Sequence, residues 1–318
     1  MRIGLLNNLR AGRSSKQVSR LLAFLRAHPN VVSVETDRAH AVPEALAELA
    51  RQEVDLLLLN GGDGTLQFAL TEILENNIFP EGPPMIAPLR GGRTNMSAHD
   101  LGAQSDPLKG LASILEAERT GTLHARLAPR HVLRVEYGPG KNVICGMFFG
   151  GGLIYRAIEL VHRAFPTQQQ GVFGATLVTG ALATRIALGG NDGVLAPNKV
   201  QLLLDGELAE HGEYSLVISS TLTRLFANMR PFWGGGTGGV RTTTLAYGSQ
   251  RLAQTIPGIL RGKPSDYAVP ENGYTSRNVD CAEMRLDCGF TVDGELIAPE
   301  PGRQITITAH RNVRFLRA

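Results

Sequence analysis

A single stretch constrains the fold more than any other. Val54-Asp55-Leu56-Leu57-Leu58-Leu59 is an apolar run of strand length, and Asn60-Gly61-Gly62-Asp63-Gly64-Thr65 follows it at once. Leu66 to Leu74 then reads as an amphipathic helix. Three glycines and an aspartate therefore stand where a buried strand turns into a helix. Such a turn aims free backbone N–H groups at one spot, and the helix dipole adds partial positive charge there, which makes a phosphate cradle. Glycine allows close approach of an anion and a positive φ. A carboxylate in an anion site makes sense if a divalent cation, usually Mg²⁺, accompanies the phosphates. The plainer alternative is a tight turn without a ligand, since Gly-Gly pairs mark turns. The chain contains neither G-x-x-x-x-G-K-[ST] nor, at this stretch, G-x-G-x-x-G.

The flanking segments repeat the same alternation. Arg2–Leu6 reads as a strand, Lys16–Ala27 as a helix behind a capping Ser14 or Ser15, and Val31–Thr36 as a strand. Pro43–Arg51 reads as a helix opened by proline, Met85–Leu89 as a strand, and Pro107–Arg119 as a helix. Strand and helix in alternation predict a parallel α/β sheet whose ligands sit at the strand C-termini. Asn8, Thr36 and Gly61–Thr65 all follow strand ends and are expected to share a cleft. Arg90-Gly91-Gly92-Arg93-Thr94-Asn95 forms a second glycine loop after its strand.

After Thr120-Gly121-Thr122 the pattern turns to strands: His131–Tyr137, Asn142–Phe149, Lys199–Leu204, Tyr214–Ser220, Met284–Leu286 and Gln304–Thr308, with helices near Leu153–Ala164 and Gly174–Leu188. The expected organisation is α/β + β. Residues 1–121 form a parallel-sheet nucleotide-binding domain, residues 122–305 a mostly antiparallel β-sandwich substrate domain, and 306–318 is a candidate return into the first domain. At 318 residues and 43% apolar, the chain can bury cores of this size.

A net charge of +3 is too small to imply a nucleic-acid partner. Cys145, Cys281 and Cys288 cannot all pair and form no C-x-x-C, so free thiols in a reducing, cytoplasmic compartment are expected. The start shows no signal-peptide pattern, and no run of apolar residues is long enough for a membrane span. The oligomeric state is not legible.

With these motifs in order, the chain resembles the diacylglycerol kinase catalytic-domain family, which includes sphingosine kinases and bacterial lipid kinases. Asn8-Leu9-Arg10-Ala11-Gly12-Arg13 is similar to the family's N-P-x-x-G-x opening, with Leu9 in place of proline. Gly61-Gly62-Asp63-Gly64-Thr65 matches its nucleotide loop. Pro88–Gly102 is similar to its P-x-G-T-x-N-D stretch at Gly92, Asn95, Ala98, Leu101 and Gly102, and Val292-Asp293-Gly294-Glu295 matches its late V-D-G-E element. The resemblance implies ATP and Mg²⁺ as cofactors, ATP bound between two domains, and phosphoryl transfer to a lipid hydroxyl. It implies that Asn8, Thr36, Asp63, Gly64 and Thr65 contact ATP, with Gly12, Asn60, Gly61, Gly62, Gly92, Arg93 and Asn95 completing the nucleotide site. Glu295 is the implied general base with Asp293 beside it, and Asp63 is the third catalytic candidate. The implied acceptor is diacylglycerol or a related long-chain alcohol. No protein-held metal ligand is assigned.

The residues leave alternatives open. Asp293-Gly294 is also the standard signal for a type I′ hairpin, and Asp205-Gly206-Glu207 repeats the pattern in a segment read as a simple turn. Arg93 and Met96 replace the family's Thr and Asp, and Arg241–Gly248 lacks the acids of its structural Mg²⁺ stretch, so a nucleotide- or lipid-binding homologue without catalysis is a second reading. A NAD kinase-like enzyme is a third; Thr94-Asn95-Met96 stands where that enzyme's N-E/D element is expected. From Tyr214 to Ser265 there is no acid, while Arg224, Arg230, Arg241, Arg251, Arg261 and Lys263 lie among Phe226, Phe232 and Trp233. This stretch reads either as a peripheral surface for an anionic membrane or as side chains scattered over a β domain with Trp233 in its core. Val172–Leu188 reads as a core helix or a wall of an acyl pocket.

Overall fold

The computed structural model describes residues 1–9, 15–37, 41–164 and 196–318. Gly12, Arg13 and the expected helix at 174–188 lie outside the described residues. The chain divides into two compact units, 1–130 with 312–318, and 131–311.

In the first unit, strands β1 (Ile3–Asn8), β2 (Val31–Thr36), β3 (Leu56–Gly61) and β4 (Met85–Arg90) form a parallel sheet in the order β2-β1-β3-β4. The order follows from the sequence pattern. Central β3 is buried along its whole length, whereas edge β2 alternates between buried and open positions. Helices α1 (Ser15–Arg26), α2 (Val42–Arg51), α3 (Asp63–Leu74), α4 (Met96–Asp100) and α5 (Pro107–Arg119) connect and flank the strands. Asp106 caps α5 by accepting the Leu108 N–H at 3.0 Å. Helix α3 is less amphipathic than expected: Thr65, Leu66, Gln67, Ala69, Leu70 and Ile73 are all buried, so it runs through the unit rather than along its surface. The segment 312–318 returns here. Phe315 bridges Ile86 on β4, and Phe315, Leu316 and Ala318 are buried.

The second unit is antiparallel. Its strands are β5 (Arg130–Tyr137), β6 (Asn142–Gly146), β7 (Phe148–Gly152), β8 (Asn198–Leu204), β9 (Glu207–Leu208), β10 (Glu213–Ser220), β11 (Val240–Ala246), β12 (Tyr274–Val279), β13 (Ala282–Leu286), β14 (Phe290–Val292), β15 (Glu295–Ile297) and β16 (Arg303–Val313), with helices α6 (Leu153–Ala164) and α7 (Leu252–Leu260). They join into one 12-stranded sheet that doubles over at β10. Glu213 and Tyr214 pair with β8 and Leu216–Ser220 pair with β7, while β11 pairs with β10 from Tyr214 to Ser220 with an irregularity between Tyr214 and Leu216. A strand that changes partners at a bulge makes the corner of a sandwich. The core confirms this: Val200, Leu202, Met284 and Ile305 from one half pack with Phe149, Val217, Phe290 and Val292 from the other. The expected strand Asn142–Phe149 is broken at Met147 into β6 and β7. Arg241–Gly248 falls largely on the buried strand β11, where Thr243 donates to the Pro231 carbonyl at 2.7 Å.

Among the described residues, no helix is long and apolar enough to cross a membrane.

Candidate active site

The start of α3 is the centre of the first unit's site. Its N-cap is Gly62, with no side chain capping the helix. Leu66 is the first residue here whose N–H reaches a backbone carbonyl, that of Gly62 at 3.1 Å. The N–H groups ahead of it are the orphan donors of a helix start, carrying the positive end of the dipole.

Positive φ, one of the two expected reasons for the glycines, does not apply here. None of Gly61, Gly62, Gly64, Gly91 and Gly92 has a positive φ; Gly62 lies at φ −94°, ψ −174°. The constraint is contact between two loops. A Cβ on Gly92 would lie 2.3 Å from the Gly62 Cα, and one on Gly91 would lie 2.5 Å from the Gly61 nitrogen. A Cβ on Gly61 would meet the Thr65 side chain at 2.5 Å. The loops after β3 and β4 therefore pack backbone against backbone. The space left beside them is about 10 Å³, about one water's worth. That space is too small for a phosphate, and the open side of the loop is the one that bears the N–H groups.

Asp63 holds the two loops together. Its Oδ2 accepts the Met96 N–H at 3.0 Å and its Oδ1 accepts the Ser97 N–H at 2.9 Å. These are the first two residues of α4, so Asp63 caps a helix 33 positions away. Burial pushes its pKa above the ordinary carboxylate value, and the two N–H donors pull it back. Asn95, in the left-handed region at φ 50°, closes the loop, accepting the Gly92 N–H at 2.6 Å and donating to the Gly92 carbonyl at 2.7 Å.

Asn8 and Thr36 end adjacent strands in register, and the Asn8 Nδ2 donates to the Thr65 Oγ1 at 2.9 Å. The structure thus brings Asn8, Thr36 and Thr65 to one place. Asn60 points elsewhere. It is 3% exposed and donates to the Asn7 Oδ1 at 2.7 Å, and among the described residues the Asn60 Oδ1 and Asn7 Nδ2 have no partner. Arg93 is exposed. Asn7, Gly91 and Ser97 are the residues that the sequence reading left off the site. Only Gly91 carried a signal, as half of a Gly-Gly pair.

In the second unit, Val292 pairs with Glu295 across a two-residue loop in which Asp293 has φ 48° and Gly294 φ 97°. This is a type I′ turn. The Asp293 carboxylate accepts the Met147 N–H at 2.8 Å and the Phe148 N–H at 3.0 Å, clamping the hairpin at the break between β6 and β7. Glu295 is exposed, and among the described residues it makes no ion pair or side-chain hydrogen bond. It is a free carboxylate on a rigid turn.

The acid-free stretch is divided. Trp233 is half-buried and packs against Leu245, Ile259, Ala268 and Tyr274. Arg241 donates to the Leu222 carbonyl at 3.1 Å, and the Arg251 guanidinium lies 4.5 Å from the centre of the Tyr267 ring. Arg230, Arg261 and Lys263 are exposed.

Residues 2–125 match the model of the diacylglycerol kinase catalytic domain. Three solved structures from Bacillus anthracis share the fold. A candidate diacylglycerol kinase is 18% identical with a TM-score of 0.69, a diacylglycerol kinase is 17% identical with a TM-score of 0.62, and another candidate is 16% identical with a TM-score of 0.68. Each alignment covers 100% of this chain and 97% of the other. No curated protein matches the sequence.

Proposed function

We propose that this chain, whose residues 2–125 belong to the diacylglycerol kinase catalytic-domain family, is an ATP-dependent lipid kinase. It transfers the γ-phosphoryl group to the hydroxyl of diacylglycerol or a related long-chain alcohol. The observation that carries the reading is the start of α3: a helix N-terminus with no side-chain cap, on a glycine loop braced by a second one.

The residues present fit a triphosphate. N–H groups of the first turn of α3 donate to phosphate oxygens, and the Asn8–Thr65 contact holds the edge of the loop. Each Asp63 oxygen accepts one backbone N–H group, so the carboxylate is engaged in bracing the two loops. Mg²⁺ carried by the phosphates would neutralise their charge. In the reaction the acceptor oxygen bonds to the γ-phosphorus, the bond to the β–γ bridging oxygen breaks, and ADP leaves. Glu295 takes the hydroxyl proton. Positioning and charge neutralisation carry most of such a transfer, and a general base adds about 10²–10⁴ in rate.

The test is [γ-³²P]ATP transfer to a panel of lipid alcohols in mixed micelles, with wild type beside Glu295→Gln. Label in one acceptor that falls at least about a hundredfold in the variant supports the reading. No label in any lipid, with ATP still bound by calorimetry, favours the second reading of a nucleotide-binding homologue without transfer. Met96 motivates that reading: it is 9% exposed and stands where the family carries an acid.

A further inference from the structure

Three segments of the second unit meet around a hollow of about 280 Å³: the turn after β11, the loop leading into β12, and His211 ahead of β10. Backbone bonds fix its floor. The Ala246 N–H donates to the Gly273 carbonyl at 2.9 Å, and the Tyr247 N–H donates to the Glu213 carbonyl at 2.9 Å. Gly273 has φ 87°, and a Cβ there would lie 2.2 Å from the Ser249 Oγ, so glycine is what lets the turn sit this close. Side chains tie the walls to carbonyls. Ser249 donates to that of Ala246 at 2.9 Å, Asn272 to that of Tyr267 at 3.0 Å, and the His211 Nε2–H to that of Pro270 at 2.9 Å.

The hollow is therefore formed in advance, and three of its side chains are left over. Tyr247 is 42% exposed, and Gln250 and Glu271 are exposed as well. Among the described residues, none of the three side chains makes an ion pair or a hydrogen bond.

The lining narrows what can enter. No lysine or arginine lines the hollow, so nothing there offsets the charge of a phosphate. Ala246 is its only aliphatic side chain, so an acyl chain finds little to pack on. A cage for an organic ammonium needs several ring faces. Here the Tyr267 ring already carries the Arg251 guanidinium at 4.5 Å, and the His211 ring is engaged edge to face with Tyr214. What remains is one open phenol ring beside a carboxylate and a primary amide. The C–H face of a sugar stacks on the electron-rich face of such a ring. The carboxylate accepts from neighbouring hydroxyls, and the amide both donates and accepts. The volume lies just below the ~300–1,000 Å³ of pockets for drug-sized ligands, which suits one or two sugar rings.

We infer that Tyr247, Gln250 and Glu271 form a binding site for a neutral sugar, free or as the head group of a glycolipid. The inference goes beyond the kinase reading. Sugar binding is measured without nucleotide or turnover, so either can fail alone.

The experiment is ligand-detected NMR titration with D-glucose, D-galactose, D-mannose, octyl glucoside below its micelle concentration, and tetramethylammonium. Four proteins are compared: wild type, Tyr247→Ala, Glu271→Ala, and the control Leu208→Ala, which truncates an exposed side chain on β9. Circular dichroism checks that each is folded. Wild type is expected to bind at least one sugar. Tyr247→Ala and Glu271→Ala should each weaken that binding about tenfold or more, and Leu208→Ala less than about twofold. Binding of octyl glucoside with the free sugars silent supports the site and names a glycolipid as the source; binding of a free sugar as strong as that of octyl glucoside supports it and names the free sugar. Absence of binding to every sugar would overturn the proposal, as would binding of tetramethylammonium alone, or sugar binding that persists at wild-type strength in Tyr247→Ala and Glu271→Ala.

Discussion

Asp205 and Asp293 do the same job in two hairpins built from the same three residues. Each begins an Asp-Gly turn with both central φ angles positive, and each carboxylate accepts two consecutive backbone N–H groups. Asp205 takes those of Asp280 and Cys281; Asp293 takes those of Met147 and Phe148. The next residue separates the copies. Glu207 is held by Arg277 at 2.7 Å, whereas Glu295 carries no such partner.

The two glutamates are therefore expected to behave differently. Glu295→Gln should reduce phosphoryl transfer by about 10²–10⁴ with ATP affinity unchanged. Glu207→Gln should leave transfer within about twofold and cost under ~1 kcal/mol, because its ion pair is exposed. Steady-state kinetics and urea unfolding of both variants decide this. Equal effects on turnover would remove the special status of Glu295.

Asp63 gives a pH signature. Its folded pKa lies above the ordinary value of 3.8, so the folded state binds more protons than the unfolded one. Its contribution to stability is then full below that value and declines as pH rises through the folded pKa. Asp63→Asn removes this titration. The stability difference between wild type and variant, measured by urea unfolding, should move against the wild type as pH rises from about 3.8 towards neutrality. A difference that stays flat with pH would show that the carboxyl is not strained by burial.

The glycine loops give a steric contrast. Gly92→Ala puts a Cβ 2.3 Å from the Gly62 Cα, while Gly62→Ala puts one 3.4 Å from the Gly92 Cα. The first should cost about 1–3 kcal/mol by overpacking and weaken nucleotide binding; the second should be tolerated within ~1 kcal/mol. Thermal melts and nucleotide titrations of both variants test it, and a Gly92→Ala protein that binds as wild type would contradict the packing.

Phe315 is fully buried beside Ile86. Phe315→Ala should cost about 3–5 kcal/mol, typical of a large cavity. Loss of less than ~1 kcal/mol would mean that the returning segment contributes little to the first unit.

What was legible in the sequence was local. Buried β3 announced itself as Leu56–Leu59, α5 by its proline start, and the Asp293-Gly294 turn by its dipeptide. The roles that escaped depend on distance along the chain. Asp63 bonds to Met96 and Ser97, and Gly62 packs on Gly92; nothing near either residue marks those partners. The glycines were recognised, but of the two reasons given for them positive φ does not hold. Strands β11 and β12 and helix α7 were missed because buried threonines and Pro257 blur the periodicity on which strand and helix assignments rest.

The return of 312–318 to the first unit has a consequence during synthesis. Residues 131–311 must all be made before Phe315 can reach Ile86. At ~5–20 residues per second, synthesis from Arg90 to Phe315 leaves β4 as an open strand edge for roughly 10–45 s. An open edge is a template for wrong pairing, so a nascent chain of this protein has reason to meet a chaperone at β4 before the Phe315 bridge forms.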